Sequence, residues 1–189
     1  MLHRRIGCEQ MVKVETKELL ANSLKELLKD NSFASIGVRD IVKNCGISRT
    51  AFYNHFQDKY DLISWIYRTE SEQICKGFDN AEWREYHTRV LEYMLNEKDY
   101  YMNISSYQGQ NSIQSYITSY VMESMERHLK RQLGVNKLSE DIETSLYMWN
   151  STRTVLVFRW IRNTGNKSPK EMSNLICNCV PEPIRLYYQ

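Results

Sequence analysis

From Leu20 to Val180 the apolar residues recur three and four positions apart, and nowhere does the chain alternate apolar with polar over the length of a strand. That period constrains the fold more than any other feature. Leu20, Leu24, Leu27 and Leu28 form one stripe, and Val38, Ile41, Val42 and Cys45 form a second at i, i+3, i+4 and i+7. Later stripes run through Leu62, Ile63 and Ile66, through Trp83, Val90 and Met94, and through Ile113, Tyr116, Ile117, Tyr120 and Val121. The expected fold class is all-α.

Start and stop signals divide the pattern. The first helix is expected over about Thr16 to Asp30, and the second from Gly37, an acceptable cap with Asp40 in the first turn. Gly46 stops it, Ser48 caps a short third helix, and Asp58 with Asp61 opens a fourth, expected to reach Phe78. Beyond these come a helix over about 81 to 96 and one from Ile113 to Gly134. A long one follows from Ser139 to about Asn163, ended by Gly165. Ser168-Pro169-Lys170-Glu171 is a cap, a proline at the first helical position and a glutamate three residues on, so a last helix runs to Val180 before Pro181 and Pro183.

Several function classes are excluded by what is missing. The chain has 189 residues and no apolar run long enough to span a bilayer. MLHRRIGCEQ lacks the apolar stretch of a secretory leader. Five cysteines, an odd number set mostly in helical patterns, fit a reduced cytoplasmic setting. Cys177 and Cys179 have no second Cys/His pair at ligand spacing, so no metal and no cofactor is expected. No Ser-His-Asp or Cys-His arrangement and no glycine-rich phosphate loop suggests an enzyme. His87 and His128 stand alone on helices, and Glu123 and Glu126 read as a solvated face. Charge is mildly asymmetric. Residues 1–60 hold 10 Lys/Arg against 7 Asp/Glu, while the remainder holds 15 against 16.

The stretch CGISRTAFYNHFQDKYDL carries the functional signal. On a wheel of about 100° per residue, Arg49, Thr50, Tyr53 and Asn54 share one polar face, and Ala51, Phe52, His55 and Phe56 share the other. A helix this short is not stable alone, so Phe52 and Phe56 must pack on the two preceding helices. Three helices with a glycine turn between the second and third is the helix-turn-helix plan, whose second member enters the major groove. There arginine reads guanine and asparagine adenine, Thr50 and Tyr53 reach phosphate or a thymine methyl, and Lys59 neutralises a phosphate. Geometry alone leaves open an ordinary surface helix.

Residues 16 to 63, above all VRDIVKNCGISRTAFYNHFQDKYDLI, resemble the DNA-binding domain of the tetracycline-repressor (TetR) family of bacterial regulators. Gly37 departs from the family, which more often has threonine or serine there, able to touch a phosphate. The resemblance places His55 near the DNA backbone, whereas the wheel turns it toward the apolar side. YQGQNSIQSY and FRWIRNTGNKSPKEM are similar to the dihydroxyacetone kinase regulator branch.

These readings imply a basic arm at 1–13, a helix-turn-helix domain at 14–61 and a helical regulatory and dimerisation domain at 62–189. The partners implied are a double-stranded DNA operator and a second copy of the chain. Ile142, Leu146, Trp149, Leu156 and Phe158, with Leu175, Ile176, Cys179 and Val180, offer apolar groups for a four-helix dimer interface. By resemblance the C-terminal helices surround an effector pocket, with Tyr86, Tyr93, Tyr116, Tyr120 and Trp149 as candidate walls. The alternative is a closed core controlled by a protein co-regulator.

Overall fold

The computed structural model of the chain describes residues 2–76, 83–107, 109, 112–163 and 166–188, and the side chains of all of these but 2–14 and 75. Among the described residues every regular element is helical: α1 (Leu2–Leu27), α2 (Val38–Cys45), α3 (Arg49–Tyr53), α4 (Lys59–Cys75), α5 (Trp83–Asn96), α6 (Lys98–Ile104), α7 (Ile113–Leu133), α8 (Glu140–Arg162), α9 (Pro169–Asn178) and α10 (Glu182–Arg185). None of the described helices is long and apolar enough to cross a membrane.

The chain divides into two compact units, one ending at Ile66 and the other beginning at Tyr67. The division falls inside α4, slightly later than the expected boundary at residue 61. Helix α1 starts at Leu2, not near Thr16, and so takes in the segment expected as an arm. Phe78 and Gly165, expected as the ends of two helices, lie outside the described residues.

In the first unit α2 packs on α1, and α3 on α2. Leu20, Leu24, Ile41, Phe52 and Leu62 are fully buried and make the core with Leu28, Val42 and Phe56. The stripes read from the sequence meet here, as single-faced helices must. Polar groups reinforce the contact: Ser23 Oγ donates to the Ile41 carbonyl at 2.7 Å, and Asn44 Nδ2 donates to Glu26 Oε2 at 2.9 Å.

The second unit is built around α8, which packs against α7, α10, α6 and α5, while α9 lies on α5. Its buried side runs Leu146, Trp149, Asn150, Arg153, Thr154, Val157, Trp160 and Ile161, a helical stripe that includes an arginine. Ser168 Oγ accepts from the Glu171 N–H, and the Glu171 carboxylate accepts from the Ser168 N–H at 2.7 Å, so the expected capping box opens α9. The carboxyl of Glu171 is held below its ordinary value by those Ser168 bonds. Two short helices, α6 and α10, had no counterpart in the sequence reading. Pro181, read as a stop, caps α10 in extended conformation.

Candidate nucleic-acid interface

Two caps set the turn before α3. Gly46 ends α2 at φ 70°, a left-handed conformation that glycine takes without a Cβ clash. Ile47 N–H then reaches back to the Val42 carbonyl at 3.0 Å. Ser48, in extended conformation, accepts from Ala51 N–H at 3.1 Å and starts α3. The helix has five residues, shorter than expected, but Asn54 N–H still bonds the Thr50 carbonyl and Phe56 N–H the Phe52 carbonyl. The helical register therefore holds through Phe56, and so does the division of faces.

The inward face is aromatic. Phe52 and Phe56 have ring centroids 5.8 Å apart, and Phe56 meets Trp65 at 5.9 Å. Lys17 Nζ lies 5.6 Å from the Phe56 ring. The outward face carries Arg49, Thr50, Tyr53 and Asn54, all exposed, with the Arg49 guanidinium 5.9 Å from the half-exposed Tyr53 ring. The structure brings these four together on one surface. His55 sits at the edge, half-buried, its ring 6.4 Å from that of Phe56.

Lys59 occupies a different place from the one expected. Its Nζ donates to the carbonyls of Phe33 and Ile36, each at 2.7 Å, and of Ala34 at 3.4 Å. An ammonium has three donors, so all are committed to the protein. The same Nζ stands 4.4 Å from the Phe33 ring. Partial burial lowers its pKa, opposed by the charge of Asp40. Lys59 is thus a clamp between the start of α4 and the segment entering α2. Asp58 caps α4 by accepting from the N–H groups of Tyr60 and Asp61, and Asp61 reaches back to Gln57 N–H at 3.0 Å.

The residues proposed as effector-pocket walls make two sets of ring contacts, and Arg153 faces Tyr67 of the one and Tyr86 of the other. Tyr116 and Tyr120 stack at 6.1 Å, and both meet Tyr67 edge-on. Tyr93 lies against Tyr101 at 6.4 Å, its phenol raised in pKa by burial and by its bond to Glu70. Tyr86 belongs to the second set, with Trp83 and His87, and Trp149 contacts His87 and Tyr188. The residue the sequence reading passed over is Arg153, which is buried. Its signal was legible: an arginine three and four places from Asn150 and Trp149, and four before Val157, falls on the apolar stripe of α8.

Comparison with known proteins agrees with this geometry. The profile of the bacterial regulatory proteins of the tetR family matches residues 22–64, and that of a transcriptional regulator C-terminal region matches residues 81–181. The HTH-type dhaKLM operon transcriptional activator DhaS of Lactococcus lactis subsp. lactis (strain IL1403) is 31% identical over 90 residues, 47% of this chain. In that match the chain spans about half the length of its relative, 48%. The solved structure of the dihydroxyacetone kinase operon activator DhaS superposes with a TM-score of 0.63 at 18% identity, covering 92% of this chain and 98% of its own. A TetR transcriptional regulator from Streptococcus agalactiae 2603V gives 0.65 at 15% identity over 94% and 99%. A helix-turn-helix head followed by a matched regulatory region makes this chain a member of the TetR family of bacterial transcriptional regulators.

Proposed function

We propose that this regulator binds a palindromic operator as a homodimer, with α3 in the major groove of each half-site, and that a small-molecule effector controls it. The observation that carries the DNA reading is the division of α3. Four groups able to bond bases or phosphates stand exposed on a helix whose other side is fixed by the buried Phe52 and Phe56. Likeness to an operon activator supports control of an operon.

The pairing surface on α8 and α9 differs in part from the residues first named for it. Leu146, Trp149, Phe158, Ile176 and Val180 are buried within their own chain. Of the residues first named, Leu156 (39%), Leu175 (43%) and Cys179 are exposed, and Met148 (63%) and Val155 (61%), which were not named, join them. An apolar face of this kind on two consecutive helices suits a twofold mate.

Selection of bound duplexes from a random pool tests both parts. The expected product is a palindrome with half-sites about one helical turn apart, 34–36 Å. Arg49→Ala and Tyr53→Ala should then weaken binding by about 1–3 kcal/mol each while melting like the parent. Val155→Glu should sediment as a folded monomer of low operator affinity. Parental affinity in the α3 variants would sink the assignment of that face.

A further inference from the structure

Among the described residues of the second unit, the buried guanidinium of Arg153 has no carboxylate beside it. Arg153, on the inner side of α8, is 9% exposed, and Asn150 Oδ1 accepts from one of its terminal nitrogens at 3.1 Å. Its Nε has no hydrogen-bond partner. The groups of negative potential that face it are the phenols of Tyr67, Tyr86 and Tyr188 and the Cys177 thiol, with no carboxylate of the described residues among them. A buried guanidinium is ordinarily paired, because an uncompensated charge in the interior is strongly unfavourable.

The orphaned groups are neighbours. The Arg153 guanidinium lies 6.0 Å from the Trp149 ring, Trp149 contacts Tyr188 at 5.5 Å and His87 at 6.4 Å, and Trp83 bridges His87 and Tyr188 at 5.2 and 4.9 Å. His87 Nε2 and the Tyr188 hydroxyl are also buried and unpartnered, with the residues 2% and 3% exposed. Three polar groups in one aromatic pocket thus have unused bonding capacity.

Tyr188 also forms part of the wall of a cleft of about 270 Å³, whose other lining residues are Arg84, Cys177, Asn178, Val180 and Arg185. Tyr188 and Cys177 belong both to the cleft wall and to the surroundings of Arg153. At the rim Arg84 bonds the neutral amides of Asn174 and Asn178 and, among the described residues, no carboxylate, whereas Arg185 is paired with Glu182 at 2.8 Å. The volume lies near the lower limit for small-ligand pockets.

We propose that this cleft, backed by Arg153, His87 and Tyr188, binds a small organic anion, a carboxylate or phosphate monoester carried on a flat apolar body. The ligand enters at Arg84 and the Tyr188 hydroxyl, which line the cleft, and by displacing the Tyr188 ring its anionic oxygens reach the Arg153 guanidinium and His87 Nε2 behind it, its apolar part lying against Trp83 and Trp149. The inference rests on the effector-controlled reading and gives that effector its chemical class.

The test uses the full chain without DNA, so its outcome is separate from that of the operator assignment. Thermal melting and tryptophan fluorescence are followed against benzoate, phenyl phosphate and neutral benzamide at low-millimolar concentration. The expected result is a saturable rise in Tm with at least one anion and none with benzamide, the stronger anion identifying the head group. Arg153→Met should lose at least about tenfold in affinity while melting no lower than the parent, since an apolar replacement relieves the unpaired charge. Arg153→Lys should keep the preference for anions over benzamide. The proposal is overturned if neither anion shifts Tm, if benzamide acts equally, if Arg153→Met binds like the parent, or if it melts well below it.

Discussion

The two units are both helical and both aromatic, yet they treat buried polar groups in opposite ways. In the head, among the described residues, no buried side-chain nitrogen or oxygen lacks a partner. Ser23 closes on Ile41, and Lys59 closes on three carbonyls. In the regulatory unit His87, His128, Arg153 and Tyr188 each retain an unpartnered buried atom. Such an atom costs about 1–3 kcal/mol in a folded protein. The head closes its buried polar groups on one another, whereas the regulatory unit leaves several of its own open, as the proposed effector site would require.

The largest expected effect attacks the rigid side. Phe52→Ala removes a fully buried ring and should destabilise the head by about 3–5 kcal/mol. Phe56, 2% exposed, should behave alike. Differential scanning calorimetry should show the head transition lowered or lost with the regulatory transition retained. Loss of both together would mean that the two units share one cooperative core, and the comparison would fail.

Lys59→Met sharpens the same side. Losing the clamp on Phe33, Ala34 and Ile36 should cost about 1–3 kcal/mol of head stability. With the ammonium committed to these carbonyls, the salt dependence of operator binding is expected to keep its slope. A slope smaller by about one would restore the phosphate role.

The regulatory unit should respond to pH through two buried histidines. Burial, with the Arg153 charge second, holds the His87 imidazole well below its ordinary 6.5. His128 is lowered too, by burial and by Arg131. In the unfolded chain each takes a proton near pH 6.5, while the folded form resists protonation. Stability is therefore fully present above pH 6.5 and lost as pH falls, approaching about 1.4 kcal/mol per pH unit for each proton. Chemical unfolding between pH 7.5 and about 5 should show the loss in the regulatory transition, with His87→Gln reducing it. A flat profile would remove the distinction between the units.

The smallest effect concerns a cap. Gly37 donates its N–H to Asp40 Oδ2 at 2.8 Å, but glycine has no side chain to return the bond. A Cβ at Gly37 would stand 3.4 Å from that oxygen, an ordinary contact. Gly37→Ser should complete the capping box and add a few tenths of a kcal/mol to the head, read as a slightly higher melting temperature.

The sequence by itself determined what depends on neighbours along the chain. Helix class followed from a period of 3.6, the turn from Gly46, the starts of α3 and α9 from Ser48 and Ser168, and the two faces of α3 from spacing alone. These are local properties, fixed within one or two turns of backbone. Tertiary structure decided what depends on distance through space. Lys59 looked like a free cation until the loop at Phe33 to Ile36 folded over it. Ile176 looked as suited to a dimer face as Leu175, yet one is 2% exposed and the other 43%. Arg153 could be placed on a stripe by counting, but whether a carboxylate would meet it there depended on the facing helices. Periodicity says which side of a helix turns inward, and only the packed neighbours say what waits on that side.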